Sequence, residues 1–253
     1  MKNYGAFNLR HLAKGIKCIN NLKPEELGIT ANQIKILKGW LKITGLSNGK
    51  KLTPLGILIK RYDRFLEEDI TMQILHYNIL TNDENSIWRC AFNVDEFNRE
   101  YLISKLATNY DFKTDEIVAD LNVLLNMYIP KMLEKENPNK LLLPLIKKYG
   151  DLYYKKEYKP NEWVALAIMI DNLPEINLEN NAPCLSISSV KTEDIQFRNV
   201  FGLGDRKLED ILYKLQDMKL IKINKYNIEI LSEYTFLDCI EKAYKELNEN
   251  GKQ

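Results

Sequence analysis

Histidine is scarce in this chain and cysteine is scattered. There are two histidines, His11 and His76, and four cysteines, Cys18, Cys90, Cys184 and Cys239, each isolated from the others. No CxxC pair and no Cys/His ligand spacing occurs, which argues against a closed zinc site and against a disulfide framework. Free thiols, buried or half-buried, are expected instead. Apolar runs are short as well: none reaches the roughly 18 residues of a membrane-spanning helix, so no membrane partner is expected. The opening MKNYGAFNLRHLAKG lacks the apolar stretch of a secretory signal, and a cytoplasmic protein is expected. Catalytic signatures are missing too. The sequence has no HxxEH, no GxSxG, no HNH-like cluster and no Walker lysine. Its nearest approach to a metal-nuclease arrangement is Asp151 with Glu157-Tyr158-Lys159, a short string in a Lys/Tyr-rich segment that we read as chance.

Acids are nearly missing from one end. Residues 1–62 hold 12 Lys/Arg against Glu25 and Glu26 alone, a net of +10. The remaining residues hold 24 Lys/Arg against 33 Asp/Glu, a net of −9, so the overall +1 conceals a strong polarity. Such asymmetry points to an anionic partner for the basic end, unless packing against the acidic body neutralises it.

What is present in that basic end has a recognisable order. Residues 7–19 place Phe7, Leu9, Leu12, Ile16 and Ile19 at helical spacing, and Pro24-Glu25-Glu26-Leu27 reads as a short turn opening on proline. Thr30 and Gln33 have the spacing of a capping box, followed by a stripe of Ile34, Leu37 and Leu41. Lys35, Lys38 and Lys42 lie on the other side of this helix, with Asn32 and Gln33 near its start. Asn48-Gly49 predicts a tight hairpin carrying Lys50 and Lys51. Thr53-Pro54 then restarts a helix, Thr as cap and Pro as first residue. The sequence over 30–62 therefore reads as a basic winged helix-turn-helix. Its candidate nucleic-acid contacts are Arg10, Lys14, Lys17, Asn32, Gln33, Lys35, Lys38, Lys42, Lys50 and Lys51.

Two later stretches repeat the theme without the charge. In the first, Asn98–Thr108 is a short helix and Thr114 caps another, with Ile117, Leu121, Leu124, Leu125 and Tyr128 inside and Asp115, Glu116, Asp120 and Asn122 facing solvent. Residues 134–140 read as an exposed loop or wing tip, 153–158 as a strand and 161–172 as a buried helix. Residues 176–185 read as a connector. In the second stretch, Phe201-Gly-Leu-Gly204 makes a turn, Asp205 caps a helix, and 220–224 with 227–231 form a hairpin, before a last helix over 235–248. His76 falls on or beside the buried face of an apolar helix, where a core histidine bonded to a backbone carbonyl is expected. The expected fold is mainly α with small β-hairpin wings, as repeated winged helix-turn-helix-like units packed into a helical body. Its divisions are 1–62, 63–175 and 186–253.

The order of several short strings resembles the bacterial domain-of-unknown-function family 4007. The matching residues are Phe7, Arg10 and Lys14-Gly15; Leu52-Thr53-Pro54-Leu55-Gly56; Leu75-His76-Tyr77; Trp88 with Phe92-Asn93; Tyr128-Ile129-Pro130; and Pro144-Leu145. The resemblance spans nearly the whole chain. It implies DNA binding in DNA phosphorothioation and phage-defence systems, with cysteine desulfurase and sulfurtransferase enzymes as partners. It also implies a strand-nicking role, for which a divalent metal such as Mg²⁺ is the expected cofactor. The family's Gly-His-Glu string ahead of the phenylalanine is replaced here by Asn3-Tyr4-Gly5-Ala6, so a polar pair suited to chemistry is missing and no catalytic residue is assigned. A non-catalytic winged-helix regulator and a protein–protein adaptor are the alternatives.

Overall fold

Short polar side chains start several of the helices where the sequence places them. The computed structural model describes residues 5–19, 22–82, 86–109, 112–129, 142–173, 184–186, 197–224 and 227–250, with the side chains of 184–186 and 250 left aside. By contacts the chain divides into two units, 1–156 and 157–253. The described residues are mainly helical, with two small antiparallel sheets.

In the first unit, α1 (Leu9–Lys17) is capped by Asn8, whose Oδ1 accepts from the His11 amide at 3.1 Å. Helix α2 (Pro24–Leu27) opens on Pro24 and closes on Gly28. Helix α3 (Ala31–Ile43) begins with the expected capping box: Thr30 Oγ1 accepts from the Gln33 amide at 3.2 Å, and Gln33 Oε1 from the Thr30 amide at 2.8 Å. Helix α4 (Pro54–Tyr62) is capped by Thr53. Between α3 and α4 the expected hairpin is reduced to a single bridge, Ser47 to Leu52. The reason is local. Asn48 Oδ1 accepts from the amides of both Lys50 and Lys51, and Ser47 Oγ accepts from Gly49, so the donors a ladder needs are already used.

Helix α5 (Asp69–Thr81) is buried on nearly every side, from Ile70 to Leu80 except Asn78. It is entered through Asp63, a buried carboxylate that accepts from the amides of Glu67 and Glu68 and from the Thr71 hydroxyl. Those bonds hold a turn in which Leu66 takes a left-handed conformation (φ 56). Then follow α6 (Ser86–Phe92), β1 (Glu96–Phe97), α7 (Arg99–Asn109), α8 (Thr114–Tyr128) and the hairpin β2 (Ile146–Tyr149) and β3 (Leu152–Lys155). The strand expected over 153–158 is thus shorter and begins one residue earlier. Residues 134–140 lie outside the described residues.

Two expectations for α8 need correction. Thr114 is its first residue rather than its cap, which is Lys113, without a side-chain bond. Asp120 is buried, not solvent-facing, at 2% exposure. Burial pushes its carboxyl up to about 6, and Glu116 one turn away pushes the same way. Because the folded value lies above the unfolded 3.8, this group's stabilising protonation is complete below about 3.8 and lost as pH rises through 6. The gap of about two pH units corresponds to roughly 3 kcal/mol. Asp120→Asn is therefore expected to raise the melting temperature at pH 8 and leave it nearly unchanged at pH 4; equal shifts at both pH values would contradict this.

The second unit contains α9 (Glu162–Asp171), β4 (Cys184–Ser186), α10 (Phe197–Phe201), α11 (Asp205–Asp217), the hairpin β5 (Ile221–Ile223) and β6 (Asn227–Ile230), and α12 (Phe236–Asn250). Asn161 caps α9 through the Trp163 amide at 2.9 Å. The cap of α11 is Gly204, so Asp205 is the first helical residue; its carboxylate meets Arg198 at 2.9 Å instead. Thr235 and Asp238 form a reciprocal box at the start of α12. Most of 176–185 lies outside the described residues, while Cys184 and Leu185 belong to β4.

The two sheets share one design. In the first the order is β1-β3-β2, in the second β4-β6-β5, antiparallel throughout. Each places the second strand of its hairpin in the centre. Among the described elements, each also follows the same chain order of helix, strand, helix, helix, hairpin.

Candidate nucleic-acid interface

Helix α3 turns one side into the core and presents lysines on the other. Ile34, Leu37, Trp40, Leu41 and Ile43 are buried, and Lys35, Lys38 and Lys42 are exposed. At 100° per residue the three lysines fall within an arc of about 60°. Asn32, also exposed, lies about 60° to one side of Lys35. Gln33 lies about 160° away from Lys35 and its carbonyl is held in the capping box, so the two expected groove-facing amides are not equivalent.

The helix is held closely from behind. A Cβ at Gly15 of α1 would come within 3.0 Å of Leu41 Cδ1 and 3.1 Å of Leu37 Cδ1. At the C-terminal end of α3, Lys50 and Lys51 are exposed on the Asn48 turn. Among the described residues no carboxylate pairs with Arg10, Lys35, Lys38, Lys50 or Lys51.

Arg10, Lys14 and Lys17 form a second exposed stripe along α1, again within about 60°. Here the side chains are partly engaged. Lys14 Nζ donates to the Leu27 carbonyl at 3.0 Å, tying α1 to the end of α2. Lys17 Nζ lies 4.0 Å from the centre of the Phe65 ring, and the Arg64 guanidinium carbon 4.7 Å from it. Lys60 Nζ donates to the Lys17 carbonyl at 3.3 Å. This gathering of Lys17 and Arg64 on a half-exposed phenylalanine was not singled out from sequence; the signal was Arg64-Phe65 just after a basic helix end. Burial, with Lys14 beside it, lowers the His11 pKa, so His11 adds no charge at neutral pH.

Among the described residues no three His, Cys, Asp or Glu side chains converge as a metal site. Of the Asp151/Glu157 string, Asp151 lies in the β2–β3 turn of the first unit. Glu157 accepts from the Gly204 amide at 2.8 Å and pairs with Lys207 at 2.7 Å, contacts that hold its carboxyl below the usual range. Cys18, Cys90 and Cys239 are free thiols. Burial raises the pKa of Cys90 and pushes Cys239 up to about 12, so neither is a thiolate at neutral pH.

Several residues of the strings that carried the family resemblance pack in the core. Phe7 meets Trp40 edge-on at 4.9 Å, and Trp40 meets Trp88 at 6.0 Å. His76 is fully buried, and its Nδ1 lies 2.8 Å from the Tyr128 hydroxyl, with Phe92 4.8 Å from the imidazole. Burial keeps Tyr128 well above the usual phenol range, so it stays protonated. In the Leu52–Gly56 string, Thr53 Oγ1 both donates to the Gly45 carbonyl and accepts from the Gly56 amide. Gly56 allows the Leu46 carbonyl to approach α4.

A family model described as a protein of unknown function, DUF4007, matches residues 6–244. The chain belongs to that family. No curated protein and no solved structure matches it. No described helix is long and apolar enough to cross a membrane.

Proposed function

We propose that this chain is a DNA-binding protein that holds duplex DNA against the lysine face of α3. One observation carries the reading: Lys35, Lys38 and Lys42 share one exposed face, and Lys50 and Lys51 follow on the adjoining turn, in a segment with only two acids. The repeated order of helix, strand, helix, helix and hairpin supports a winged-helix architecture, with 1–62 as a copy whose wing is abbreviated. In that reading α3, α8 and α11 are equivalent helices, and they differ in charge. Helix α8 exposes Asp115 and Glu116. On α11, Lys207 and Lys214 are paired with Glu157 and Glu162 at 2.7 and 2.6 Å. Of these three helices, α3 is the one that exposes lysines on a single face with no acid of its own beside them, and among the described residues no carboxylate pairs with Lys35 or Lys38.

By family resemblance, and in particular to SspB, the protein serves a bacterial DNA phosphorothioate modification and phage-defence system in the cytoplasm. Cysteine desulfurase and sulfurtransferase enzymes are its partners there. Strand nicking belongs to that resemblance. Among the described residues no three His, Cys, Asp or Glu side chains come together to hold the divalent metal that nicking would use.

Binding that rests on five such cations releases counterions in proportion. The log–log slope of duplex affinity against salt is expected near −4 to −5, a loss of roughly 10²–10³-fold between 50 and 200 mM. Fluorescence anisotropy with a labelled duplex measures it. A slope near zero would sink the electrostatic reading.

A further inference from the structure

The β2–β3 hairpin ends in a two-residue turn, Gly150-Asp151, with Gly150 at φ 59 as the first central residue of such a turn requires. Its base is fixed. On the inner face Ile146 and Tyr153 are buried, and Tyr153 stacks on Phe97 at 5.3 Å. Arg99 Nε donates to the Tyr153 hydroxyl at 3.3 Å, and Lys155 Nζ to the Phe92 carbonyl at 2.9 Å. The tip is different. Tyr149 is 76% exposed, and among the described residues no hydrogen bond or ring contact engages it. Lys147 and Lys148 beside it are also exposed, and neither pairs with a carboxylate among the described residues.

We propose that this hairpin is a second nucleic-acid contact of the first unit, one that selects DNA with an unstacked base. Tyr149 stacks on that base, and Lys147 and Lys148 neutralise the flanking phosphates. The inference rests on the DNA reading above and narrows the substrate to gapped, flapped or single-stranded DNA. An exposed aromatic ring on a fixed hairpin, with a cation on each face of its strand, has two needs, a negative backbone and an open π-face. Intact duplex supplies the first only, because each base face is covered by its neighbours. The two needs are met together where the stack is broken. Phe65 and Tyr101, also exposed and near lysines, do not offer this, since the first ring already carries Lys17 and Arg64 and the second Lys105.

The test compares an intact duplex with one carrying a short gap that exposes a 2-aminopurine, using the full chain. Wild type is expected to bind the gapped DNA about tenfold more tightly and to quench the fluorophore. Tyr149→Ala loses both the preference and the quench while keeping intact-duplex affinity within about twofold; Tyr149→Phe keeps all three. The variant with Lys35, Lys38 and Lys42 changed to Glu weakens both DNAs by the same factor. Equal wild-type affinity for the two DNAs, or a Tyr149→Ala protein that still prefers and quenches the gap, overturns the stacking proposal alone. A Tyr149→Ala protein that loses both DNAs equally makes the hairpin a general backbone contact and also overturns it. Failure of wild type to bind either DNA overturns the underlying DNA reading, and this proposal with it.

Discussion

Changing Lys35, Lys38 and Lys42 to Glu together is expected to abolish the duplex gel shift, lowering affinity at least ~100-fold at 100 mM salt and flattening the salt slope by about 3. All three side chains are exposed, so the core face of α3, from Ile34 to Ile43, is untouched and the protein should still fold. Lys42 alone carries a local complication. It is the basic residue in the last turn of α3, where a glutamate opposes the helix dipole by about 0.3–1 kcal/mol. A companion variant with Lys42→Gln avoids that and is expected to bind nearly as poorly. Circular dichroism establishes the fold, and a titration at three salt concentrations separates lost contacts from lost structure. Unaltered binding would move the interface away from α3, and the α1 stripe of Arg10, Lys14 and Lys17 would be the next surface to reverse.

Gly56→Ala is expected to be the most destabilising conservative change in the first unit. A Cβ there would sit 2.1 Å from the Leu46 carbonyl oxygen and 3.0 Å from its carbon, with no flexible side chain to yield. Leu46 is fully buried and the same oxygen accepts from the Thr53 amide at 3.1 Å, so the carbonyl is held in place. The cost is expected at about 3 kcal/mol or more, a fall in Tm of roughly 6–12 °C. Gly28→Ala is the informative control. Gly28 has φ 64 but nothing within 4 Å of the added carbon, so it reports backbone strain alone, about 1–2 kcal/mol. If the two variants melt together, α4 does not approach the turn as closely as described. A DNA readout on Gly56→Ala is informative as well, because the same turn carries Lys50 and Lys51.

Much of this molecule was legible where a local rule suffices. The Thr30/Gln33 box, Pro24 and Pro54 at helix starts, and the apolar α9 follow from side chains acting within a few residues. The misreadings occurred where neighbours compete. Asn48-Gly49 is a hairpin signal, yet Asn48 Oδ1 takes the Lys50 and Lys51 amides and Thr53 claims the chain for α4, which leaves room for one bridge. Asp120 sits beside Asp115 and Glu116 in sequence, and only packing decides that it alone is covered. The exposed Tyr149 was hidden inside LLLPLIKKYGDLYYKKEY, where period-two alternation fits many registers; pairing with β3 selects the one that leaves Tyr149 at the tip. Asp63 carried no signal beyond being an acid after a basic helix. Its role depends on a turn that only the folded chain brings back to it.

The pairing of α9 with α12 bears on how the second unit is made. Helix α9 is buried from Trp163 to Met169, and its main neighbour is α12, whose Cys239, Ile240, Ala243 and Tyr244 are also buried. In synthesis the first of these helices emerges more than sixty residues before the second. Through that interval α9 has no side it can leave in water, whereas α1 and α3 meet their partners within a few dozen residues. The basic first segment can therefore pack as it emerges, whereas α9 meets α10 and α11 first and its main partner only when the last helix is made.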